Sequence, residues 1–164
     1  MKLKIILRTL ISLLIICNVA LIFHFSSEKA SVSSKTSKKV TEQILEIFIE
    51  DFSSMPEKEQ KALIKKTDST IRSLAHFTEY TALGFLTFAF FSLSNSDKIK
   101  KALLSFTGCA LFSLADEVHQ IFVPGRSFQF KDISIDFAGV ILGILIFLFI
   151  KHLIKKLTKK SAVS

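Results

Sequence analysis

The fold is decided by residues 116–143, DEVHQIFVPGRSFQFKDISIDFAGVILG, which join two long apolar segments of the chain. The stretch places acids, a histidine, a glutamine and an arginine at the point where those two segments meet. A charged residue deep in a bilayer costs roughly 2.5–3.5 kcal/mol on insertion scales, so charges kept there usually mark a working site. The stretch therefore predicts a functional site at the junction of two membrane-spanning helices.

Composition places the whole chain in the membrane class. Of the 164 residues, 49% are hydrophobic and 17 are Phe, whereas only five are Gly and two are Pro. The net charge of +8 comes largely from the two ends and one short loop, and the aromatic residues lie inside apolar runs. Nucleic-acid binding needs a basic face with polar or aromatic readers, so this pattern argues against it.

Four segments approach the length of about 20 apolar residues that a helix needs to cross a bilayer. We therefore predict an all-α, polytopic membrane protein with a bundle of four transmembrane helices, in a single domain covering residues 1–164. The first segment also resembles a signal peptide, but its apolar run is long and no clean cleavage site follows it. We predict that it stays as an uncleaved span. The predicted spans are residues 5–25, 74–93, 102–123 and 133–150.

Basic residues predict the orientation of these spans. Lysines and an arginine precede the first span, fill the loop between the second and third, and follow the fourth. Positively charged loops stay on the cytoplasmic side, so we predict cytoplasmic N- and C-termini and a basic cytoplasmic tail at 151–164. The clusters are Lys2, Lys4 and Arg8; Lys98, Lys100 and Lys101; and Lys151, Lys155, Lys156, Lys159 and Lys160.

Residues 26–73 are predicted to lie outside the cell, because their nine Lys/Arg nearly balance eight Asp/Glu. The Ser/Lys-rich part, Ser26 to Lys39, is predicted to be flexible. Ser54 with Glu57 resembles a capping box, and Pro56 fits a first helical turn. Two short amphipathic helices on the membrane surface are therefore predicted, with a partly ordered loop as the alternative. The first has apolar residues at helical spacing: Val40, Ile44, Ile47, Phe48 and Phe52.

Ionisable and polar residues of three predicted spans converge on this same outer side. Helical spacing puts His76, Glu79 and Tyr80 on one face, and Asp132 and Asp136 on one stripe of the last span. That stripe continues into a Gly-x-x-x-Gly pair that favours close helix packing, so Asp136 is predicted to point inward. The predicted ligand-binding residues are His76, Glu79, Tyr80, Asp116, Glu117, Gln120, Arg126, Asp132 and Asp136.

Structural explanations of the same residues stay open at this stage. His76 with Glu79 could form a simple interfacial pair, and Asp116 with Arg126 could form a salt bridge that fixes the outer loop. Pro124-Gly125 is a turn signal that would bring Arg126 close to the acids. Arginine also presents a planar donor fork that matches a carboxylate or a phosphate.

Taken together, these motifs resemble the VanZ-like family of small bacterial membrane proteins, over nearly the whole chain. The run from Asp116 to Gly143 is specific, whereas Phe25-Ser26-Ser27 alone is weak. Asp136 stands where many relatives carry Asn, which implies that a charge there is not essential to the family's shared role. The resemblance implies a multi-pass protein of the bacterial cytoplasmic membrane. The other matching elements are His76-Phe77-x-Glu79-Tyr80-x-x-Leu83-Gly84 and Asp132-x-x-x-Asp136.

Two functions compete. The first is a non-enzymatic envelope protein that binds a lipid-linked wall precursor or an amphiphilic glycopeptide, and the resemblance adds an expected effect on teicoplanin sensitivity. The second is an intramembrane enzyme acting on a lipid headgroup or wall precursor, with catalytic candidates His76, Glu79, Asp116 and Glu117. Paired carboxylates can divide the roles of acid and base. No cofactor is expected, no standard metal-ligand spacing is present, and a homo-oligomer or an envelope protein partner is compatible with the sequence.

Overall fold

The computed structural model describes residues 2–161, which form five α-helices and one short 3-10 turn, without a strand. The predicted all-α class is confirmed. Met1 and residues 162–164, the end of the predicted basic tail, lie outside the described residues. The helices are α1 (Lys2–Ser26), α2 (Ala30–Phe48), α3 (Glu57–Ser92), α4 (Lys98–Gln120) and α5 (Phe130–Ser161), and the 3-10 turn is Phe52–Ser54.

Within the described residues, α1 and α5 are the two helices that are long and apolar enough to cross a membrane. Only 6% of the most apolar stretch of α1 is buried, against 33% in α5. Helix α1 therefore turns nearly all of its apolar side chains outward, and an uncovered apolar surface of this size is expected only against lipid or another protein. The predicted count of four spans and their orientation stay predictions.

Helices α3 and α5 share the most extensive contact of the fold, and glycine makes it close. A Cβ atom added at Gly139 would lie 2.6 Å from the carbonyl oxygen of Phe77, and one at Gly84 would lie 2.5 Å from that of Val140. A Cβ atom added at Gly143 would likewise overlap the carbonyl oxygen of Thr81. The predicted close packing of the Gly-x-x-x-Gly face is confirmed, and its partner helix is α3.

Further along the same contact, aromatic and aliphatic side chains fill the bundle. Phe147 of α5 meets Phe85 and Phe88 of α3 edge to face, with both pairs of ring centroids 5.4 Å apart. Cys109 of α4 is buried in this core, whereas Cys17 is exposed on α1, and both are free thiols. Such edge-to-face contacts add to the burial of the rings themselves and hold α5 against α3.

The segment between α1 and the predicted second span differs from the sequence-based prediction. Residues predicted to be flexible are helical from Ala30 onward. The reason is tertiary, because the small polar stripe of α2 packs on α3 and the Ser37 hydroxyl donates a hydrogen bond to Asp68. The predicted second short helix is instead the first part of α3, which runs unbroken for 36 residues, or about 54 Å at 1.5 Å per residue.

The predicted capping box at the start of α3 is wrong. Glu57 is the first helical residue, Pro56 precedes it at the N-cap position, and no side chain caps the helix. The Glu57 carboxylate instead accepts from Lys61 one turn later, at 2.5 Å. Proline supplies no N–H and has a pre-set φ, so the helix begins at this point without a capping side chain.

Candidate ligand-binding site

The polar end of the bundle is where α1 and α4 finish and α5 begins. Here the Ser26 hydroxyl of α1 donates to the Asp116 carboxylate of α4 at 2.6 Å, and Gln120 donates to the same carboxylate at 3.1 Å. One residue on, the Ser27 hydroxyl lies 3.2 Å from His119 Nε2. The Phe-Ser-Ser element, weak as a sequence signal, is therefore the part of α1 that holds the end of α4.

Glu117 connects α4 to the loop that precedes α5. Its side chain is buried, at 1% exposure, and both carboxylate oxygens are bonded. One accepts from the Gln120 amide at 3.3 Å and the other accepts from the backbone N–H of Gln129 at 2.8 Å. A carboxylate engaged on both oxygens is well placed to fix the loop and poorly placed to take a proton from a substrate.

Arg126 closes the turn between α1 and α2. Its Nη2 donates to the Phe25 carbonyl at 2.8 Å, its Nε donates to the Glu28 carbonyl at 2.9 Å, and its Nη1 donates to Gln120 Oε1 at 3.3 Å. The carbonyls in the last turn of a helix have no partner within the helix, and a cation that bonds them stabilises the end of α1.

The geometry corrects the alternative of a salt bridge between Asp116 and Arg126. No ion pair joins them within residues 2–161. Ser26 and Gln120 both donate to Asp116 Oδ2, Asp116 Oδ1 has no partner among the described residues, and the guanidinium bonds the Phe25 carbonyl. Burial, and then the nearby positive charge of Arg72, lower the pKa of Arg126 from its ordinary value. Two arginines of distant sequence position therefore face the same space.

Asp136 links α5 to both neighbouring helices. It is 1% exposed, accepts from the Ser113 hydroxyl of α4 at 2.7 Å, and lies 3.6 Å from His76 Nδ1 of α3. No hydrogen bond joins His76 to Glu79 in the part of the chain that is described, so the interfacial pair considered from the sequence does not form. The fully buried Tyr80 hydroxyl and the second Asp136 oxygen have no hydrogen-bond partner among the described residues.

A cavity of about 520 Å³ opens beside these residues, and every helix contributes to its wall. Of the nine predicted site residues, five line it: His76, Glu79, Gln120, Arg126 and Asp132. The other four, Tyr80, Asp116, Glu117 and Asp136, lie behind the wall in the packed interior. The predicted convergence on one end of the bundle is therefore observed, but it divides into a lining set and a buried set.

Sequence reasoning missed one wall of the cavity and one of its cations. The wall is the first half of α2, whose Ala30, Ser33, Ser34 and Ser37 recur at helical spacing. That spacing was the available signal, and it was obscured because small polar residues are also typical of loops. The cation is Arg72, whose side chain is 50% exposed and lies 3.8 Å from Asp68.

Comparison with known proteins identifies the family of the chain. A family model described as VanZ/LLP1 matches residues 11–151. The chain belongs to the VanZ/LLP1 family. The match runs from α1 into α5, so it includes every wall of the cavity of this VanZ/LLP1 protein. No curated protein and no solved structure matches the chain.

The described residues of the VanZ/LLP1 chain contain no group of three or more His, Cys, Asp or Glu placed to hold a metal ion. The two carboxylates closest in sequence, Asp116 and Glu117, are instead occupied by Ser26, Gln120 and the Gln129 N–H. Hydrogen bonding to protein donors is thus the role that the geometry gives these acids.

Proposed function

We propose that this VanZ/LLP1 protein crosses the bacterial cytoplasmic membrane four times and binds the headgroup of an amphiphile in its cavity. The ligand class is a lipid-linked wall precursor or a lipid-bearing glycopeptide, and binding changes sensitivity to teicoplanin-type antibiotics. The observation that carries the proposal is the cavity itself, lined by both cationic and hydroxyl side chains at the polar end of an otherwise apolar bundle.

The lining suits an amphiphile because its chemistry changes from one side to the other. Arg72, Arg126 and Lys131 supply cations for an anionic headgroup, and the serines of α2 supply hydrogen bonds. Arg126 uses three of its five N–H donors on protein oxygens, which leaves two for a ligand. Apolar side chains complete the wall and would contact an acyl or prenyl chain: Ile22, Phe25, Val40, Ile71 and Ala75.

Helix length supports the proposed position in the membrane. The predicted second span, residues 74–93, would extend about 30 Å, the thickness of the hydrocarbon core, and residues 57–73 of α3 extend about 25 Å more. The cavity lies beside residues 69–79 of α3, where the membrane part would meet the projecting part. A ligand there would keep its lipid tail in the bilayer and its headgroup in water.

The orientation can be tested by labelling cysteines in intact cells with a membrane-impermeant maleimide. Ser34→Cys should react from outside, whereas Lys155→Cys should react only after permeabilisation, in a background with Cys17 replaced by Ala. Labelling of Lys155→Cys in intact cells would overturn the proposed orientation.

Binding is tested by filling the cavity. Ser34 lines it, whereas Ser31 of the same helix is exposed and does not. Ser34→Trp should abolish binding of a lipid-linked disaccharide-pentapeptide precursor in native mass spectrometry, and Ser31→Trp should bind normally. Equal binding by the two variants, or no binding by the unmodified protein, would refute the proposal for this ligand.

The antibiotic consequence is a separate measurement. Expression of the protein should raise the inhibitory concentration of teicoplanin more than that of a glycopeptide without a lipid tail. Ser34→Trp should remove the difference and Ser31→Trp should keep it. If Ser34→Trp leaves the difference between the two inhibitory concentrations unchanged, the resistance does not depend on the cavity.

The enzyme alternative has less support from the positions of its candidates. Asp116 and Glu117 lie behind the wall, which leaves His76 and Glu79 as the candidates that line the cavity. Turnover of the lipid-linked precursor by the purified protein, lost in Glu79→Gln, would establish the enzyme.

A further inference from the structure

Glu79 lines the cavity with a carboxylate that has no hydrogen-bond or ion-pair partner among the described residues. It belongs to the predicted second span. Its neighbour one turn earlier, His76, lies against Asp136 instead. An ionisable residue at membrane depth is kept only where a partner or water meets it, so Glu79 is available to a ligand.

The opposite charge lies at the other end of the same wall. Arg72 and Glu79 are seven residues apart on α3, which places them on one face of the helix and about 10 Å apart along its axis. Both line the cavity. One end of this face of α3 therefore presents a guanidinium to the cavity, and the other end presents a carboxyl group.

The remaining charges leave Glu79 as the group without a counterpart. At the level of Arg72 the wall carries Arg126 and Lys131 as further cations and Glu28 and Asp132 as acids, and Asp68, 3.8 Å from Arg72, is a third acid that balances this end. At the inner end Glu79 contributes one negative charge, and His76 is matched by Asp136. Burial, and then the proximity of Arg72, lower the pKa of Arg126, and an anion between the two guanidinium groups would offset their mutual repulsion.

We propose that the ligand of this cavity is zwitterionic, with a primary amine bound by Glu79 and a phosphate or carboxylate bound by Arg72. This inference rests on the proposed function and specifies its ligand. The same chemistry occurs in the headgroup of an aminophospholipid and in the amine-bearing peptide of a wall precursor. A charge-assisted hydrogen bond forms at each end, and these are the strong class of hydrogen bond.

The lining favours a primary amine over a quaternary one. A primary ammonium has three N–H donors, and the Glu79 carboxylate in the lining can accept from it in charge-assisted hydrogen bonds. A trimethylated ammonium donates no hydrogen bond and is recognised by aromatic cages. Phe25 is the one aromatic ring besides His76 among the described lining residues, so no cage is present.

The experiment compares three short-chain phospholipids that differ in the headgroup. Native mass spectrometry of the full chain in detergent would measure binding of dioctanoyl phosphatidylethanolamine, phosphatidylcholine and phosphatidylglycerol. The unmodified protein should bind the ethanolamine lipid about tenfold or more tighter than the other two, since a charge-assisted hydrogen bond contributes that much. Glu79→Gln should remove this preference and leave phosphatidylglycerol binding unchanged, whereas Arg72→Gln should weaken binding of all three.

Glu57→Gln is the matched control, because Glu57 is an exposed acid of the same helix, outside the cavity. It should retain the full preference. A second arm uses the lipid-linked precursor with its peptide amine either free or acetylated. If acetylation abolishes binding to the unmodified protein, and Glu79→Gln abolishes binding of the free-amine precursor to the same extent, the peptide is the source of the amine.

The outcomes separate the two proposals. If all three phospholipids bind equally, acetylation has no effect, and Ser34→Trp still abolishes binding, the zwitterionic ligand is refuted while the proposed function stands. If no phospholipid and no precursor binds in a manner sensitive to Ser34→Trp, both are refuted. A preference that survives Glu79→Gln would also overturn the role given to this residue.

Discussion

The contact between α3 and α5 changes character along its length. Along one part of the contact, Gly84, Gly139 and Gly143 let the two backbones touch. One to two turns away, His76 and Asp136 meet at 3.6 Å, and beyond them the helix ends stand apart and line a cavity of about 520 Å³. The same pair of helices is thus a tight seam at one end and two walls of a cavity at the other.

The difference teaches that the size of the side chains sets the distance between the helices. Glycine has no side-chain atoms to hold the backbones apart, so the two helices pack closely and van der Waals contacts stabilise the seam. Charged side chains need room and partners, so the polar end stays open and is held by hydrogen bonds instead. Substitutions in the seam should therefore affect stability, and substitutions in the cavity wall should affect binding.

The largest effect is expected in the seam. Gly143→Ala would place a Cβ against the backbone at Thr81, which has no means to move aside, and should lower the free energy of unfolding by roughly 2–3 kcal/mol. Gly108→Ala is the matched control, because nothing lies within 4 Å of its Cβ position. It should raise stability by about 0.5–1 kcal/mol, as alanine does in a helix interior. Thermal unfolding in detergent measures both, and equal Tm values would contradict the seam.

The second effect concerns the buried carboxylates behind the wall. Asp116→Ala removes the acceptor of the Ser26 hydroxyl and of the Gln120 amide, both of which are buried. Gln120 keeps its hydrogen bond to Glu117, so the Ser26 hydroxyl is the buried donor that loses its acceptor, which should cost about 2 kcal/mol of stability. Asp132→Ala, at a half-buried position in the lining, should change the Tm little. A reversed order of the two Tm values would show that the buried set does not hold the helices.

The third effect should divide between stability and binding. Arg126→Ala loses donations to the Phe25 and Glu28 carbonyls and to Gln120, which should cost roughly 1–2 kcal/mol and weaken ligand binding, without preventing membrane insertion. Arg126→Lys should recover part of the binding and little of the stability, since an ammonium cannot reproduce the planar fork. Full recovery of both by lysine would mean that charge alone matters there.

The smallest effect on stability, with a large effect on binding, is expected at Glu79. Glu79→Gln keeps the shape of a side chain that has no protein partner within the described residues, so the free energy of unfolding should stay within about 0.5 kcal/mol. Ligand affinity should fall. A fall in Tm as large as that of Asp116→Ala would place Glu79 among the buried supports, and the contrast between wall and interior would then be lost.

Several features of the site could be predicted from single motifs. Helical spacing placed Asp136 and the two glycines on one stripe, and the stripe does face α3. Other features depended on partners far away in the chain. A salt bridge between Arg126 and Asp116 was one expectation, but the Arg126 guanidinium instead donates hydrogen bonds to the carbonyls of Phe25 and Glu28, about a hundred residues earlier in the chain. Spacing along one helix carries no information about that competition.

The sequence by itself determined the helical class, the apolar segments and the end of the bundle at which polar residues gather, because the 3.6-residue repeat and the cost of burying charge act locally. Tertiary structure alone decided which of those residues face the cavity and which lie behind it. It also turned the serine-rich segment into the helix α2 that forms the missing wall. The physical reason is that a hydrogen bond such as that from Ser37 to Asp68 exists only after distant helices have packed.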